Sequence, residues 1–433
     1  MGKNSQMSTR DSTAAQQGRP SRALRAVADN ALVKFCLLGA IIFGAAHSSF
    51  AGGSSLTGVV NGNTAFAADF YRHESFRPGN LFFSPYSIST ALAMTYAGAR
   101  GDTARQMAQV LHFEQSPGEL PASFAALAKR MEEIGQARQV DLSVANSLWC
   151  QEDFPFLPEF LKLTREFYGA QAHQVNFRTQ TEEVRKEIND WVVRKTQDKI
   201  QNLIQPGDLS RQTRLVLCDA VYFKGNWAVQ FQASKTRPAP FFTTPDHPVQ
   251  VPMMSQTLSL RSRDMGDFYL LQVPYTNNVL SMVILLPKAK DGLPALEKEL
   301  NATSLSQWRA TADAAPSARA ELILPKFKLN CRLELAHDLG AMGMPAAFEP
   351  QADFSGMSAN GGLFISAVVH QAMVDVNEQG TEAAAATGVA VRSLAIARPM
   401  VPVFRVDHPF IFFLQENQTG SVMFLGRVQD PTR

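Results

Sequence analysis

Residues 374–397 read VDVNEQGTEAAAATGVAVRSLAIA, a strand pattern that runs on into four consecutive alanines. Helix propensity alone favours a helix at residues 382–386, but the glycine and valines that follow favour a strand. Between Thr381 and Ser393 the only large side chains, Glu382 and Arg392, have even numbers. Because side chains alternate across a strand, the uncharged odd-numbered residues share one face. This segment can therefore enter a sheet and bury its odd-numbered face.

The order of the predicted elements indicates one large α+β domain. Helical spacing dominates up to residue 204 and includes an amphipathic helix predicted from Val184 to Ile204. Another helix is expected to begin at Ser84-Pro85, a cap followed by a proline. Strands dominate afterwards, at residues 215–223, 268–275, 279–286, 320–324, 364–377, 410–415 and 421–428. Helices followed by strands, without a repeat or a linker, predict a single domain over residues 52–433.

Composition and charge exclude several classes of partner. The 433 residues are 45% hydrophobic, enough for a large core. Lys plus Arg number 41 against 39 Asp plus Glu, and no run of five like charges occurs. We therefore expect neither nucleic acid nor an anionic membrane surface as a partner.

The N-terminal segment has the pattern of an export signal. Its apolar stretch, residues 35–46, has twelve residues, whereas a spanning helix needs about 20. Six basic residues precede this stretch and small residues follow it, as a signal peptidase requires. We predict that residues 1–51 are an export signal and that the product is secreted or periplasmic. A buried N-terminal helix and a retained anchor, the only membrane contact expected, remain open alternatives.

The sequence carries no signature of catalysis or of a bound metal. It has no G-x-S-x-G, H-E-x-x-H or G-x-x-x-x-G-K-[ST] motif and no C-x-x-C pair. Cys150 and Cys218 lie in apolar runs, so we expect buried free thiols rather than disulfides. We therefore predict a protein that is not an enzyme and that needs neither a cofactor nor a metal.

Eight segments, in order, resemble the motifs of the serpin family of serine protease inhibitors. They begin at residue 80 and end at residue 410. The segments are NLFFSPYSIS at 80–89, NDWV at 189–192, YFKGNW at 222–227, VPMMSQ at 251–256, LPKFK at 324–328, ADFSG at 352–356, VNEQGTEAAAAT at 376–387 and DHPF at 407–410. With the export signal, the resemblance leads us to expect an exported, bacterial member of this family.

The resemblance implies a fold of three β-sheets and eight or nine helices with an exposed reactive-centre loop, here residues 378–402. In this family a protease cleaves the loop and stays acyl-linked to it, and the loop then inserts into the main sheet and traps the enzyme. Small hinge residues are typical of inhibitory members. The hinge here would be Glu378, Gln379, Gly380, Thr381, Glu382, Ala383, Ala384, Ala385, Ala386 and Thr387. We therefore expect a monomeric, irreversible inhibitor of serine proteases, with cysteine proteases as a second possible class of target. A non-inhibitory carrier or chaperone is the alternative, and a secreted hydrolase has no motif in its favour.

Family spacing also places the bond that the protease attacks. Fourteen residues after the hinge glycine stands Leu394, followed by Ala395, and this bond suits chymotrypsin-like or elastase-like serine proteases with apolar primary pockets. Cleavage at Arg392-Ser393 is the alternative and would suit trypsin-like enzymes.

The resemblance finally assigns residues that control opening of the main sheet. Ser84, Ser87 and His370 would form the shutter beneath its central strands, and Trp227 would lie at the breach, where these strands part. The family usually places an asparagine eight residues before this tryptophan, but this chain has Asp219. We expect an ion pair between Asp219 and His370; the alternative is that Asp219 turns to a backbone N–H and leaves the imidazole neutral.

Overall fold

The computed structural model describes residues 52–136, 140–381 and 401–433. One compact unit extends over Ser49–Arg433. The expected export signal, the hinge from residue 382 onward and both candidate scissile bonds lie outside the described residues. Within the described part, no helix is both long and apolar enough to cross a membrane.

Nine α-helices occur among the described residues, and six of them precede the strand-rich half as predicted. Their bounds are α1 Gly52–Glu74, α2 Pro85–Gly98, α3 Gly101–Leu111, α4 Leu120–Gln136, α5 Pro158–Tyr168, α6 Thr181–Lys195, α7 Leu293–Glu299, α8 Ala302–Ala314 and α9 Leu335–Met342.

Fifteen strands complete the described part of the fold and confirm the α+β class. They are β1 Leu81–Phe83, β2 Val140–Gln151, β3 Gln171–Val175, β4 Leu215–Gly225, β5 Arg237–Thr244, β6 His247–Asp264, β7 Phe268–Pro274, β8 Leu280–Pro287, β9 Ser317–Pro325, β10 Phe327–Glu334, β11 Ile365–Asn377, β12 Gly380–Thr381, β13 Val403–Arg405, β14 Phe410–Glu416 and β15 Val422–Val428. The hairpin between β7 and β8 turns through Asn277 and Asn278, both at positive φ.

The described strands form two hydrogen-bonded sheets, whereas three were expected. One sheet has nine strands in the order β1-β15-β14-β8-β7-β6-β9-β13, with β5 also paired to β6. The other has six strands in the order β10-β11-β4-β2-β3, with β12 paired to β11. The difference arises because β6, 18 residues long, pairs with β5 near its start and with β9 and β7 farther on. Hydrogen bonding is therefore continuous across what would otherwise be two separate sheets.

Helix α2 lies between the two sheets and is buried along almost its whole length. It contacts β4 of the six-stranded sheet and β15 of the nine-stranded sheet. As predicted, it begins with Ser84 as its cap: the Ser84 side chain accepts a hydrogen bond from the N–H of Ser87, and Pro85 follows. Its sequence, PYSISTALAMTYAG, has no charged residue, which fits a position inside the core. This position brings the start of α2 beneath the centre of the six-stranded sheet.

Helix α6 covers the opposite face of the six-stranded sheet and ends earlier than predicted. It stops at Lys195, because Gln197 and Asp198 adopt left-handed backbone conformations. The chain then folds back, and the Asn189 side chain both donates to the carbonyl and accepts from the N–H of Ile204. Val184 and Ile204 still belong to one apolar cluster. The apolar spacing that predicted one long helix therefore comes from two segments that pack against the same face of the sheet.

The three cysteines among the described residues are free, as predicted for Cys150 and Cys218, which are buried. Burial raises the pKa of the Cys150 thiol to about 12. These thiols are therefore packing residues.

Candidate functional site

The centre of the six-stranded sheet is a direct parallel pairing of β4 with β11, which we call the seam. It extends from Leu215 opposite Ile365 to Phe223 opposite Val374, with one irregularity near its start. Every other pairing that β4 and β11 make is antiparallel, with β2, β10 and β12. A strand placed between β4 and β11 and antiparallel to both would replace one parallel pairing by two antiparallel ones, which are slightly more stable per residue.

The hinge leaves β11 through a tight turn at the top of the seam. Gly380 adopts φ 138°, and a Cβ at this position would meet the backbone of Gly225 and Asn226, so only glycine fits. The chain has then reversed its direction, with Asn377 opposite Gly380 and Val376 opposite Thr381. The first two hinge residues after the turn are therefore already antiparallel to β11.

Glu378 anchors this turn through contacts that the sequence did not reveal. Its carboxylate accepts hydrogen bonds from Lys326 Nζ and Thr236 Oγ1, both at 2.8 Å, and its carbonyl accepts one from the N–H of Phe231 at 2.7 Å. Burial opposes ionisation of Glu378, but the hydrogen bonds from Lys326 and Thr236 outweigh it and lower the pKa of the carboxyl. The pattern LPKFK contains Lys326, but nothing in its spacing links it to residue 378.

Trp227 closes the top of the seam. Its indole Nε1–H donates to the Asn377 carbonyl at 3.0 Å, and its backbone N–H donates to the Gln379 carbonyl at 3.0 Å. The indole is buried and stacks on Tyr275, with the ring centroids 4.6 Å apart. Trp227 thus holds the end of β11 and the turn against the end of β4. We call the contacts of Glu378 and Trp227 the breach contacts.

Four buried side chains, Ser84, Ser87, Asp219 and His370, form one hydrogen-bonded cluster, which we call the shutter network. Asp219 on β4 and His370 on β11 are register partners across the seam, and His370 Nδ1 lies 2.8 Å from Asp219 Oδ2. Ser87 Oγ–H donates to the other oxygen of Asp219, and Ser84 Oγ–H donates to the Met423 carbonyl on β15 at 2.7 Å. The network therefore joins the two seam strands, α2 and the nine-stranded sheet.

The charge state of His370 differs from the expected ion pair. The backbone N–H of Ser84 donates to His370 Nε2 at 3.1 Å, so this nitrogen must be unprotonated. The ring proton then resides on Nδ1 and is donated to Asp219. Among the described residues, the Asp219 carboxylate contacts the Ser87 hydroxyl and the His370 ring rather than a backbone N–H. The pair is a hydrogen bond from a neutral imidazole to a carboxylate.

Asn146 is a further residue at the shutter that sequence reasoning missed. It lies on β2 directly opposite Asp219, and its Oδ1 is 3.4 Å from Ser87 Oγ. Only the β2–β4 register could have located it, and no local motif marks it. Asn146 is therefore the direct neighbour of Asp219, the residue that stands where the family usually has an asparagine.

Comparisons with known proteins agree with this geometry. A family model described as Serpin (serine protease inhibitor) matches residues 61–431. The chain belongs to the serpin family. A curated relative, leukocyte elastase inhibitor A of Mus musculus, is 40% identical over 382 residues, which cover 86% of this chain and 99% of the relative.

Solved serpin structures share the fold. Uncleaved ovalbumin matches with a TM-score of 0.78 and 30% identity, covering 86% of this chain and all of that chain. Human thyroxine-binding globulin matches with a TM-score of 0.78 and 29% identity, covering 88% of this chain and 100% of that chain. Further serpin relatives come from Papio anubis and Bos taurus, so they lend no support to the expected bacterial source.

Proposed function

We propose that this serpin is an irreversible inhibitor of serine proteases that works by inserting its cleaved loop into the seam. It would act as a stoichiometric trap rather than as an enzyme. The observation that supports this most is the register at the hinge, where Val376 stands opposite Thr381 and the chain already runs antiparallel to β11. The names of its relatives, among them leukocyte elastase inhibitors, support the same class of activity.

Continuing this register down β11 gives a residue-by-residue proposal for the inserted strand. Ala383 would stand opposite Val374, Ala385 opposite Ala372 and Thr387 opposite His370. Paired residues in a sheet point to the same side. Val374 and Ala372 belong to the main core cluster, whereas Met373 belongs to the cluster beneath α6. The odd-numbered, uncharged face of the loop would therefore enter the core, as its sequence pattern predicts.

The proposal is tested by incubating the protein with chymotrypsin and with pancreatic elastase and resolving the products on a denaturing gel. A covalent complex that survives denaturation is the expected product. Simple cleavage without complex would favour a carrier, and continued turnover of substrate by the protein alone would make it a hydrolase. The carrier is the second candidate because a structure with the same fold is a thyroxine-binding globulin.

We further propose that the scissile bond is Leu394–Ala395, with Arg392–Ser393 as the alternative. The apolar leucine fits chymotrypsin-like and elastase-like enzymes, and the names of the elastase inhibitor relatives are consistent with this class. Mass spectrometry of the fragment released on complex formation distinguishes the two. A new N-terminus at Ala395 is expected, and one at Ser393 would make trypsin-like enzymes the targets.

Export also remains a proposal, based on the sequence of residues 1–51. We propose that this segment is removed and that residues 52–433 are secreted or reach the periplasm as a monomer. N-terminal sequencing of the product recovered outside the cell and light scattering of that product test both statements. An intact residue 1 on all of the protein would contradict removal.

A further inference from the structure

A cluster of ionisable side chains lies far from the seam, where the end of α1 meets α9. His73 and Glu74 stand in the last turn of α1, and Asp338 stands in the first turn of α9. One potential ligand atom from each of the three lies within 4.8 Å of the others. His73 Nε2 is 3.1 Å from Asp338 Oδ1, although the two residues are 265 positions apart in the sequence.

The two carboxylates of this cluster are buried and share one cation. The Glu74 side chain is 1% exposed and that of Asp338 4%, and the Arg77 guanidinium reaches both, at 2.9 and 2.7 Å. The second oxygen of Glu74, Oε1, is buried and has no hydrogen-bond partner among the described residues. A buried carboxylate oxygen without a partner is costly, and a second cation would remove that cost.

We propose that His73, Glu74 and Asp338 form a binding site for a divalent transition-metal ion, with Zn²⁺ as the preferred ion. One imidazole nitrogen and two carboxylate oxygens are a set of ligands that zinc accepts, with water as the fourth ligand. Tetrahedral zinc holds its ligand atoms about 3.4 Å apart, so the three side chains need to close by little more than ~1 Å. The sequence predicted no metal because its ligands come from two distant segments and follow no spacing motif.

A metal ion can reach the proposed site from solvent, and Arg77 is the side chain that it would have to displace. His73 lines a surface groove and is 31% exposed, so an ion reaches it without unfolding. Arg77 is 54% exposed and can swing into solvent when a metal takes its place on the carboxylates. Bound metal would fasten the end of α1 to α9, the helix that lies between β10 and β11 in the chain.

The chain supplies a matched control for the test. His112 also lines the groove and pairs with one carboxylate, Asp69, at 2.9 Å and with 37% exposure of each side chain. Within the described residues, no third ligand completes that pair. His112→Gln and His73→Gln therefore each remove one His–Asp contact at this groove, but only the second removes a proposed metal ligand.

The experiment measures Zn²⁺ binding to tag-free protein by competition with a chromophoric chelator, together with the thermal unfolding midpoint. We expect one zinc ion per chain and, at a hundredfold excess over Kd, a rise in the midpoint of about 3–5 °C. His73→Gln should weaken binding at least about tenfold, His112→Gln should leave it unchanged, and Arg77→Gln should strengthen it. No zinc binding by the unaltered protein, or equal losses in the two histidine variants, would overturn the proposal. Weaker zinc binding by folded Arg77→Gln protein would do the same.

Discussion

The shutter network and the breach contacts hold the same two strands together but differ in their exposure to water. At the shutter, Asp219 and His370 are fully buried, and every bond of the pair is made to another buried group. At the breach, Lys326 is 38% exposed and holds Glu378 by an ion pair that solvent can reach. Bonds that water can replace cost little to break, whereas buried polar groups must find new partners within the protein. The seam should therefore open first at the breach, and the shutter should set the main barrier to opening.

This comparison predicts the largest effect at Asp219. Asp219→Ala leaves the Nδ1–H of His370 without its acceptor and the hydroxyl of Ser87 with only its longer contact to Asn146 Oδ1, which should cost about 3–4 kcal/mol of native-state stability. The first transition in urea unfolding measures this loss. Asp219→Asn is the matched control, because its amide oxygen can still accept the imidazole proton. Equal losses in the two variants would show that the hydrogen bonds do not hold the seam.

A smaller effect is expected from Trp227→Phe at the breach. The phenyl ring can still stack on Tyr275, but the hydrogen bond to the Asn377 carbonyl is lost, so we expect a cost of about 1–2 kcal/mol. In this variant, the backbone amides at the top of β11 should exchange with solvent faster than the backbone amide of His370. Faster exchange at His370 alone would reverse the proposed order of opening.

Glu378→Gln should have a still smaller effect on stability, below about 1 kcal/mol, because the ion pair with Lys326 is partly screened. High salt should reduce the difference between this variant and the unaltered protein, since screening weakens the pair. The double variant with Lys326→Met isolates the coupling of the two residues by a double-mutant cycle. A coupling energy that salt does not change would mean that the pair is shielded from solvent, as the shutter network is, and would contradict the comparison.

The smallest expected effect is a pH dependence at the breach. The folded-state pKa of Glu378 is lowered, so its contribution is present above the unfolded value of about 4.3 and is lost as the pH falls through the folded pKa. The unaltered protein should therefore lose its stability advantage over Glu378→Gln in this acidic range. Stability curves of the two proteins from pH 3 to pH 7 measure it, and parallel curves would contradict the assignment.

The parts of the fold that the sequence predicted are those with a strong local signal. The cap at Ser84 and the alternation in β11 are read from a few adjacent residues, and both elements lie where they were expected. The end of α6 was missed because apolar spacing continues past two residues, Gln197 and Asp198, whose left-handed conformations no local pattern marks.

The candidate site was predictable only as far as its residues carry a motif. Ser84, Ser87 and His370 came from a family pattern, but the protonation of His370 depends on the direction of one backbone N–H. The register of β2 and β4 brings Asn146 to the site, and the packing around the turn brings Lys326 to Glu378. Such contacts join distant segments, so only the folded structure reveals them.

The most direct test of loop insertion is the thermal stability of the protein after its loop has been cut by a non-target protease. If the cut loop joins β4 and β11 by about ten net hydrogen bonds, the unfolding midpoint should rise by at least about 10–20 °C. Ala385→Glu, which would bury a charge on the core side, should abolish most of this rise, and Ala386→Glu, which would stand opposite the polar Gln371 on the other side, should preserve more of it. An unchanged midpoint after cleavage, or equal behaviour of the two variants, would contradict insertion in the proposed register.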